Sequence, residues 1–390
     1  MSKHSRRAAF VAVALVLPGT VLGVEPAAQA STDSTGSLRA TSHSSTAATV
    51  APATAVPAPA RPRAGNPDGH APVPAAARAV DTSHPTRVVG KGTKSSCTSK
   101  RVVRAVRRGG LITFSCGPDP VTIKLKRTAK VRNDRRAVTV IDGGGKVTLS
   151  GRGKRRVIYM NTCDPAQGIT SSHCQDQKTP RLTLQNLTIT KGDSTGLHAE
   201  GGGGGAVFVR GGRLKVVNSR FFKSRCDSTG PDLGGAAIRV LDQFRDKPVY
   251  VVHSTFGGAK GYGGRCSNGG ALSSIGVSWI VLNSVISHNK AVGNGANPAR
   301  PGSPGGGSGA GIYTDGNLFT VTLAGTKMKR NHAREGGGAI FFVSNDRTGS
   351  LSIDHSVLRK NPSDGFETAG YPGIFFLGKG HPRVTSSVIQ

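Results

Sequence analysis

Residues 200–225 read EGGGGGAVFVRGGRLKVVNSRFFKSR. Five glycines run directly into AVFV (206–209) and then LKVV (214–217), two short apolar, β-branched segments of the kind that form buried strands. Glycine beside strands reads either as a loose linker or as a corner where the backbone must turn and no side chain fits. Recurrence decides between them.

The same text returns along the chain. Strand-like segments LTLQNLTITKG (182–192), LKVVNSRFFKS (214–224), VYVVHSTFGGA (249–259), WIVLNSVISHN (279–289), VTLAGTKMKRN (321–331) and LSIDHSVLRKN (351–361) alternate with GGGAVFV, GGAAIRV, GGALSSI, GAGIYTD, GGGAIFF and PGIFFLG. Taking Asn186, Asn218, His253, Asn283, Gly325 and His355 as equivalent gives intervals of 32, 35, 30, 42 and 30 residues, and Ser386 falls 31 further on. Imperfect repeats near thirty residues, made of short strands and glycine turns, predict a solenoid in which each coil pairs in parallel with its neighbours. The glycines are then corners, repeated because every coil turns at the same place. Asn289, Asn331 and Asn361 recur at another corner, where stacked amides can form a hydrogen-bonded ladder.

This pattern resembles the right-handed parallel β-helix of the pectin-lyase-like superfamily. It is more closely similar to secreted bacterial β-helix proteins with GGAI…LTVxNSxFxxN repeats of the polymorphic outer-membrane-protein type. The opening Cys97, helix, GG-LITF-Cys116, followed by VIDGGGKVTLSG (140–151), resembles their N-terminal cap and first coil. The resemblance covers roughly residues 96–390 and implies an all-β fold, a right-handed parallel β-helix with a short N-terminal capping helix. It says little about activity, because lyases, hydrolases, adhesins and inert shafts share the architecture. No C-terminal cap follows RVTSSVIQ (383–390), which leaves an open edge expected there.

The rest of the chain divides around that domain. Residues 1–30 read as a signal peptide: Lys3, Arg6 and Arg7, an apolar run from Ala8 to Leu17, then Ala28-Gln29-Ala30. Residues 31–93, rich in Ser, Thr, Ala and Pro without apolar period, read as a disordered stalk. The β-helix domain is expected over 94–390, with Val102, Val103 and Val106 on one side of the capping helix and Thr98 or Ser99 at its start. A secreted, extracellular protein without a membrane span is expected.

Six cysteines in an exported chain predict disulfides. Nearness in sequence pairs Cys97 with Cys116, Cys163 with Cys174 and Cys226 with Cys266, one of the fifteen connectivities that six cysteines allow. No CxxC-type ligand cluster suggests a metal.

Charge carries the functional expectation. The 390 residues hold 52 Lys/Arg against 21 Asp/Glu, a net charge of +31. Such an excess attracts polyanions, while an aromatic content of 5% offers few platforms for stacking sugars or bases. Residues 97–160 carry 17 Lys/Arg against Asp119, Asp134 and Asp142. In VTIKLKR, Val121, Ile123 and Leu125 alternate with Thr122, Lys124 and Lys126, placing both lysines on the outward face. Lys130, Arg132, Arg135 and Arg136 follow, and Arg152, Lys154, Arg155 and Arg156 form a third cluster. Stacked, the three make a cationic wall against the bland alternative of a solvated face tuned for solubility. The expected partner is an anionic polysaccharide or cell-wall polymer, with nucleic acid a non-specific further candidate; oligomeric state is left open. No cofactor is expected and no catalytic residue is assigned. The alternative, implied by the resemblance, is a pectate-lyase-like polysaccharide lyase acting by β-elimination on a uronate glycan, for which calcium would matter. Asp142, before three glycines, is expected to hold their amides. LSIDHSV (351–357) is similar to a pectate-lyase strand, yet His355 stands where Asn218, His253 and Asn283 stand, so repeat register accounts for it.

Overall fold

The computed structural model describes residues 61–390; the expected signal peptide and the first part of the expected stalk lie outside the described residues. The strands fall into three large sheets of ten, nine and eight strands and a small one of three, and every pairing between them is parallel. Among the described residues a single α-helix, Ser99–Arg108, interrupts them. The chain visits the large sheets in rotation. Val138–Asp142 lies in the first, Val147–Ser150 in the second and Ile158–Asn161 in the third, before Arg181–Gln185 returns to the first. These stacked parallel sheets are consistent with a β-helix-like solenoid, and each rotation is called a circuit below.

Period-2 alternation selects the core. In the first sheet the register aligns Ile112, Ile141, Leu184, Val216, Val251, Val281, Leu323 and Ile353 in one column, all fully buried. The third sheet supplies a second column, Ala129, Ile158, Val207, Ile238, Leu272, Ile312, Ile340 and Ile374, also fully buried. Each large aliphatic side chain so buried contributes about 1.5–3 kcal/mol.

The glycine-rich text turns the chain into the third sheet. Gly204, Gly235, Gly269, Gly309 and Gly337 occupy one corner position and all have positive φ, between 53° and 72°. Their amides bond carbonyls of the following circuit, as in Gly204 N–H to Gly234 O at 3.2 Å and Gly309 N–H to Gly336 O at 2.9 Å. At Gly205 a Cβ would collide with the carbonyl oxygens of Arg225 and Ala236. These glycines are corners rather than linkers.

The equivalence drawn from Asn186, Asn218, His253, Asn283, Gly325, His355 and Ser386 is a backbone one: all seven have φ between 41° and 59°. Asn tolerates that region better than most residues. The hydroxyl that follows it builds a buried ladder. Ser219 Oγ accepts from Leu187 N–H, Ser254 Oγ from Ser219 N–H, Ser284 Oγ from Ser254 N–H, and Thr326, Ser356 and Ser387 continue it. The asparagine ladder is present as well: Asn289 Nδ2 donates to Asn331 Oδ1 and Asn331 Nδ2 to Asn361 Oδ1, both at 2.9 Å.

The expected stalk is corrected over residues 61–93. Val80 exchanges two hydrogen bonds with the Gln185 side chain, at 2.9 and 2.8 Å, and Ala71 exchanges two with Asn283, both at 2.8 Å. Ala77, with Ala71 and Val73, covers Val217, Val252, Leu282 and Ala324, and Arg87–Gly90 enters the first sheet beside Gly110–Ser115. The strap lacks apolar period because most of it is neither strand nor helix. Its backbone is satisfied by side chains of the αL corner that it crosses. Asp142 belongs to that corner: its carboxylate accepts from Gly144 N–H, as expected, and from Thr82, Gln185 and Asn186. Burial pushes its carboxyl up, but these four donors outweigh burial and leave it below the ordinary carboxylate range.

The helix begins at Thr98, whose Oγ1 accepts from Arg101 N–H, and turns Val102, Ala105 and Val106 into the core with Val89, Ile112 and Leu125. All three expected disulfides are formed, Cys97–Cys116, Cys163–Cys174 and Cys226–Cys266, with no cysteine left free. Three such bonds fit an oxidising environment.

Asn331 tests the ladder. Asn331→Ala orphans the Asn289 amide and the Ile286 carbonyl in the buried interior, and should lower unfolding stability in urea by about 3 kcal/mol. The exposed neighbour Lys329→Ala should change it by less than about 0.5 kcal/mol.

Candidate anion-binding site

The cations of the cleft come from three segments. On the helix, Arg104, Arg107 and Arg108 stand at i, i+3 and i+4 and face solvent, opposite the buried valines. Arg87, from the strand at the end of the strap, donates its Nε–H to Gly109 O at 2.9 Å. Arg135 and Arg136 come from the turn before Val138 and are exposed. Glycine makes the approach feasible, since a Cβ on Gly109 would lie 3.3 Å from Arg136 Cβ and one on Gly110 would press on Arg136 and Thr86. These six arginines alone line a cleft of about 700 Å³. Burial, and then the like charges of Arg108 and Arg136, push the Arg87 guanidinium below its ordinary value.

Two further basic hollows lie on the first circuits, the first of them sharing Arg107 with the cleft. One, of about 580 Å³, is lined by Arg107, Lys126, Arg127, Lys130, Arg132 and Arg155, among others. The other, of about 310 Å³, lies on the second sheet, with Lys124, Lys191, Lys223 and Arg61 around outward Thr and Ser side chains and the rings of Phe222 and Tyr262.

Nine of the ten cations singled out in the sequence separate into three kinds. Lys124, Lys126, Arg136, Arg152 and Lys154 are exposed and pair with no carboxylate among the described residues. Lys130, Arg132 and Arg135 have partners. Lys130 Nζ lies 2.8 Å from Glu200 Oε1 and 4.8 Å above the Tyr159 ring. Arg132 grips Asp134 at 2.8 and 2.6 Å, and Arg135 lies 3.6 Å from it. The Arg132 hydrogen bonds hold the Asp134 carboxyl down to about 2, so it stays ionised. Arg155 is half-buried and donates to Lys126 O.

Arg156 is a correction. It is fully buried and cannot reach a polymer. Its guanidinium bonds Glu200 Oε2 and Gly203 O at 2.8 Å and Gly204 O at 3.2 Å, and lies 4.8 Å over the Phe208 ring. Burial pushes it down to about 10 against the opposing pull of Glu200. Its role is to hold the glycine corner to the preceding circuit. The signal missed in the sequence was the i, i+3, i+4 arginine face of the helix, together with Arg87, which sat in text read as stalk.

Other polar groups follow the register. His355 Nδ1 lies 2.9 Å from Asp354 Oδ1, and His355 occupies the positive-φ corner that its repeat position implies. Among the described residues no three His, Cys, Asp or Glu side chains gather as a candidate metal group, and no helix is long and apolar enough to cross a membrane. Compared with family models, curated proteins and solved structures, the chain finds no match.

Arg156→Ala removes one of the two cations that hold Glu200, leaves the Gly203 and Gly204 carbonyls without their guanidinium donor, and should destabilise the fold by about 3 kcal/mol. Lys154→Ala, exposed two residues earlier, should leave the thermal midpoint unchanged within about 1 °C.

Proposed function

We propose that the protein is a secreted right-handed parallel β-helix of the pectin-lyase-like type, closed at its start by the Ser99–Arg108 helix, whose basic N-terminal circuits bind an anionic extracellular polymer. The observation that carries this reading is the set of outward cations on the first circuits that no carboxylate among the described residues neutralises: Lys124, Lys126, Arg152 and Lys154, together with the arginine cleft. Like charges held this close repel one another, and a polyanion relieves that repulsion. Few aromatic side chains reach these faces: Phe222 and Tyr262 border the second-sheet hollow, with Lys223 Nζ 4.9 Å over the Tyr262 ring, and the other large rings lie mostly within the stacked core and its covered outer column, as with Tyr159 on Phe208 and Tyr313 on Phe341. Recognition therefore rests on charge, in an acidic polysaccharide or a cell-wall polymer.

The test is retention of the intact protein on immobilised polygalacturonate and on polyanionic wall polymer across a salt gradient. The variant carrying Lys124→Gln, Lys126→Gln, Arg152→Gln and Lys154→Gln should elute at distinctly lower salt than the parent. Elution at the same salt contradicts the reading. Unsaturated uronate product appearing on incubation with polygalacturonate and calcium would move the protein to the lyases.

A further inference from the structure

We propose that the six-arginine cleft is a dedicated site for a linear run of phosphate groups, free polyphosphate or the poly(polyol phosphate) backbone of a wall polymer. This deepens the polymer-binding reading and rests on it. Three features of the cleft point to phosphate rather than to polyanions at large.

The first is residue type. Lysine is plentiful nearby, at Lys100, Lys124, Lys126 and Lys130, yet every side chain lining this cleft is arginine. An ammonium serves a diffuse negative potential well, whereas the planar guanidinium fork matches paired oxygens of a phosphate and gains from bidentate contact.

The second is the lack of relief. Among the described residues no carboxylate pairs with Arg87, Arg104, Arg107, Arg108 or Arg136, and the Asp134 near Arg135 is already clamped by Arg132. The elements that hold four of these charges are packed in place. The helix is packed through Val102, Ala105 and Val106 and stapled at its start by Cys97–Cys116, and Arg87 is set by strand pairing and by Gly109 O. A site with about six positive charges in about 700 Å³ calls for a ligand of high charge density.

The third is what the cleft lacks. No aromatic ring lines it, so neither a sugar face nor a base finds a stacking partner. A uronate chain brings one carboxylate per bulky ring, whereas a phosphate chain brings its charges closely spaced on a slender backbone.

The experiment measures binding of tripolyphosphate, long-chain polyphosphate and poly(glycerol phosphate) to the intact secreted chain by calorimetry, with charge-matched polygalacturonate and a sulfated glycan as comparators. Arg104→Gln, Arg107→Gln and Arg108→Gln are combined on the solvent face of the helix, with circular dichroism confirming the fold. That variant should lose about tenfold or more in tripolyphosphate affinity. Lys329→Gln with Lys360→Gln and Lys379→Gln, exposed and far along the chain from the cleft, should stay within about twofold. The charge-conserving Arg104→Lys, Arg107→Lys, Arg108→Lys should also weaken binding, by about threefold or more, because the forks are lost. Preference for poly(glycerol phosphate) over polyphosphate assigns the source to the wall polymer, and the reverse to free polyphosphate. The proposal is overturned if the glutamine variant binds tripolyphosphate as the parent does, if the lysine variant is undiminished, or if polygalacturonate or the sulfated glycan binds as tightly and is lost in step. Polymer retention lost on changing Lys124, Lys126, Arg152 and Lys154 but kept by the arginine variant sinks the cleft and spares the polymer reading. Arginine-dependent tripolyphosphate binding without polymer retention does the opposite.

Discussion

Parallel pairing of successive circuits at constant register is the constraint on which everything else depends. Once Val138–Asp142 pairs with Arg181–Gln185 and that strand with Arg213–Val217, each residue sits over its equivalent, and whatever one circuit needs at a position the next needs too. Hence the positive φ shared by Asn186 through Ser386, the glycine corner from Gly204 to Gly337, and the serine and asparagine ladders. A parallel sheet shifts each strand's hydrogen bonds onto the neighbouring circuit, so a corner out of place would leave buried backbone groups unpaired in two circuits at once.

The same stacking concentrates charge. Arg87, Arg104, Arg107, Arg108, Arg135 and Arg136 are spread over fifty residues of chain, but the first sheet and the helix packed on it bring them to one cleft. Of the acidic groups nearby, Asp134 is engaged by Arg132, Glu200 by Lys130 and Arg156, and Asp142 by the strap and its own corner. The unneutralised charge is thus a property of the arrangement rather than of composition alone.

Much of the fold was legible in the sequence because it repeats. Alternating β-branched residues gave the strands, glycine pairs gave the corners, the Asn289–Asn331–Asn361 ladder followed from spacing, and the disulfides followed from nearness. What was illegible depends on contacts between segments without a common period. The strap over 61–86 is held through Gln185, Asn283 and Asp142, which read as ordinary repeat residues until the chain that crosses them is known. Arg156 looked like the other cations of its cluster, and only the folding of Glu200 and Gly203 over it reveals its burial. The cleft needed Arg87, contributed by that same strap.

The central claim is that one residue position recurs up the stack at fixed intervals, carrying the cations of separate segments with it. Lys124 and Lys329 are both exposed, on strands six places apart in the second sheet. At about 4.8 Å per strand their backbones lie about 29 Å apart. Spin labels attached at Lys124→Cys and Lys329→Cys, with the three disulfides intact, measure this directly by dipolar spectroscopy. A single narrow distribution near that spacing, broadened only by the label arms, is the predicted result; a broad distribution, or one centred far from it, would contradict the stacking and the account built on it.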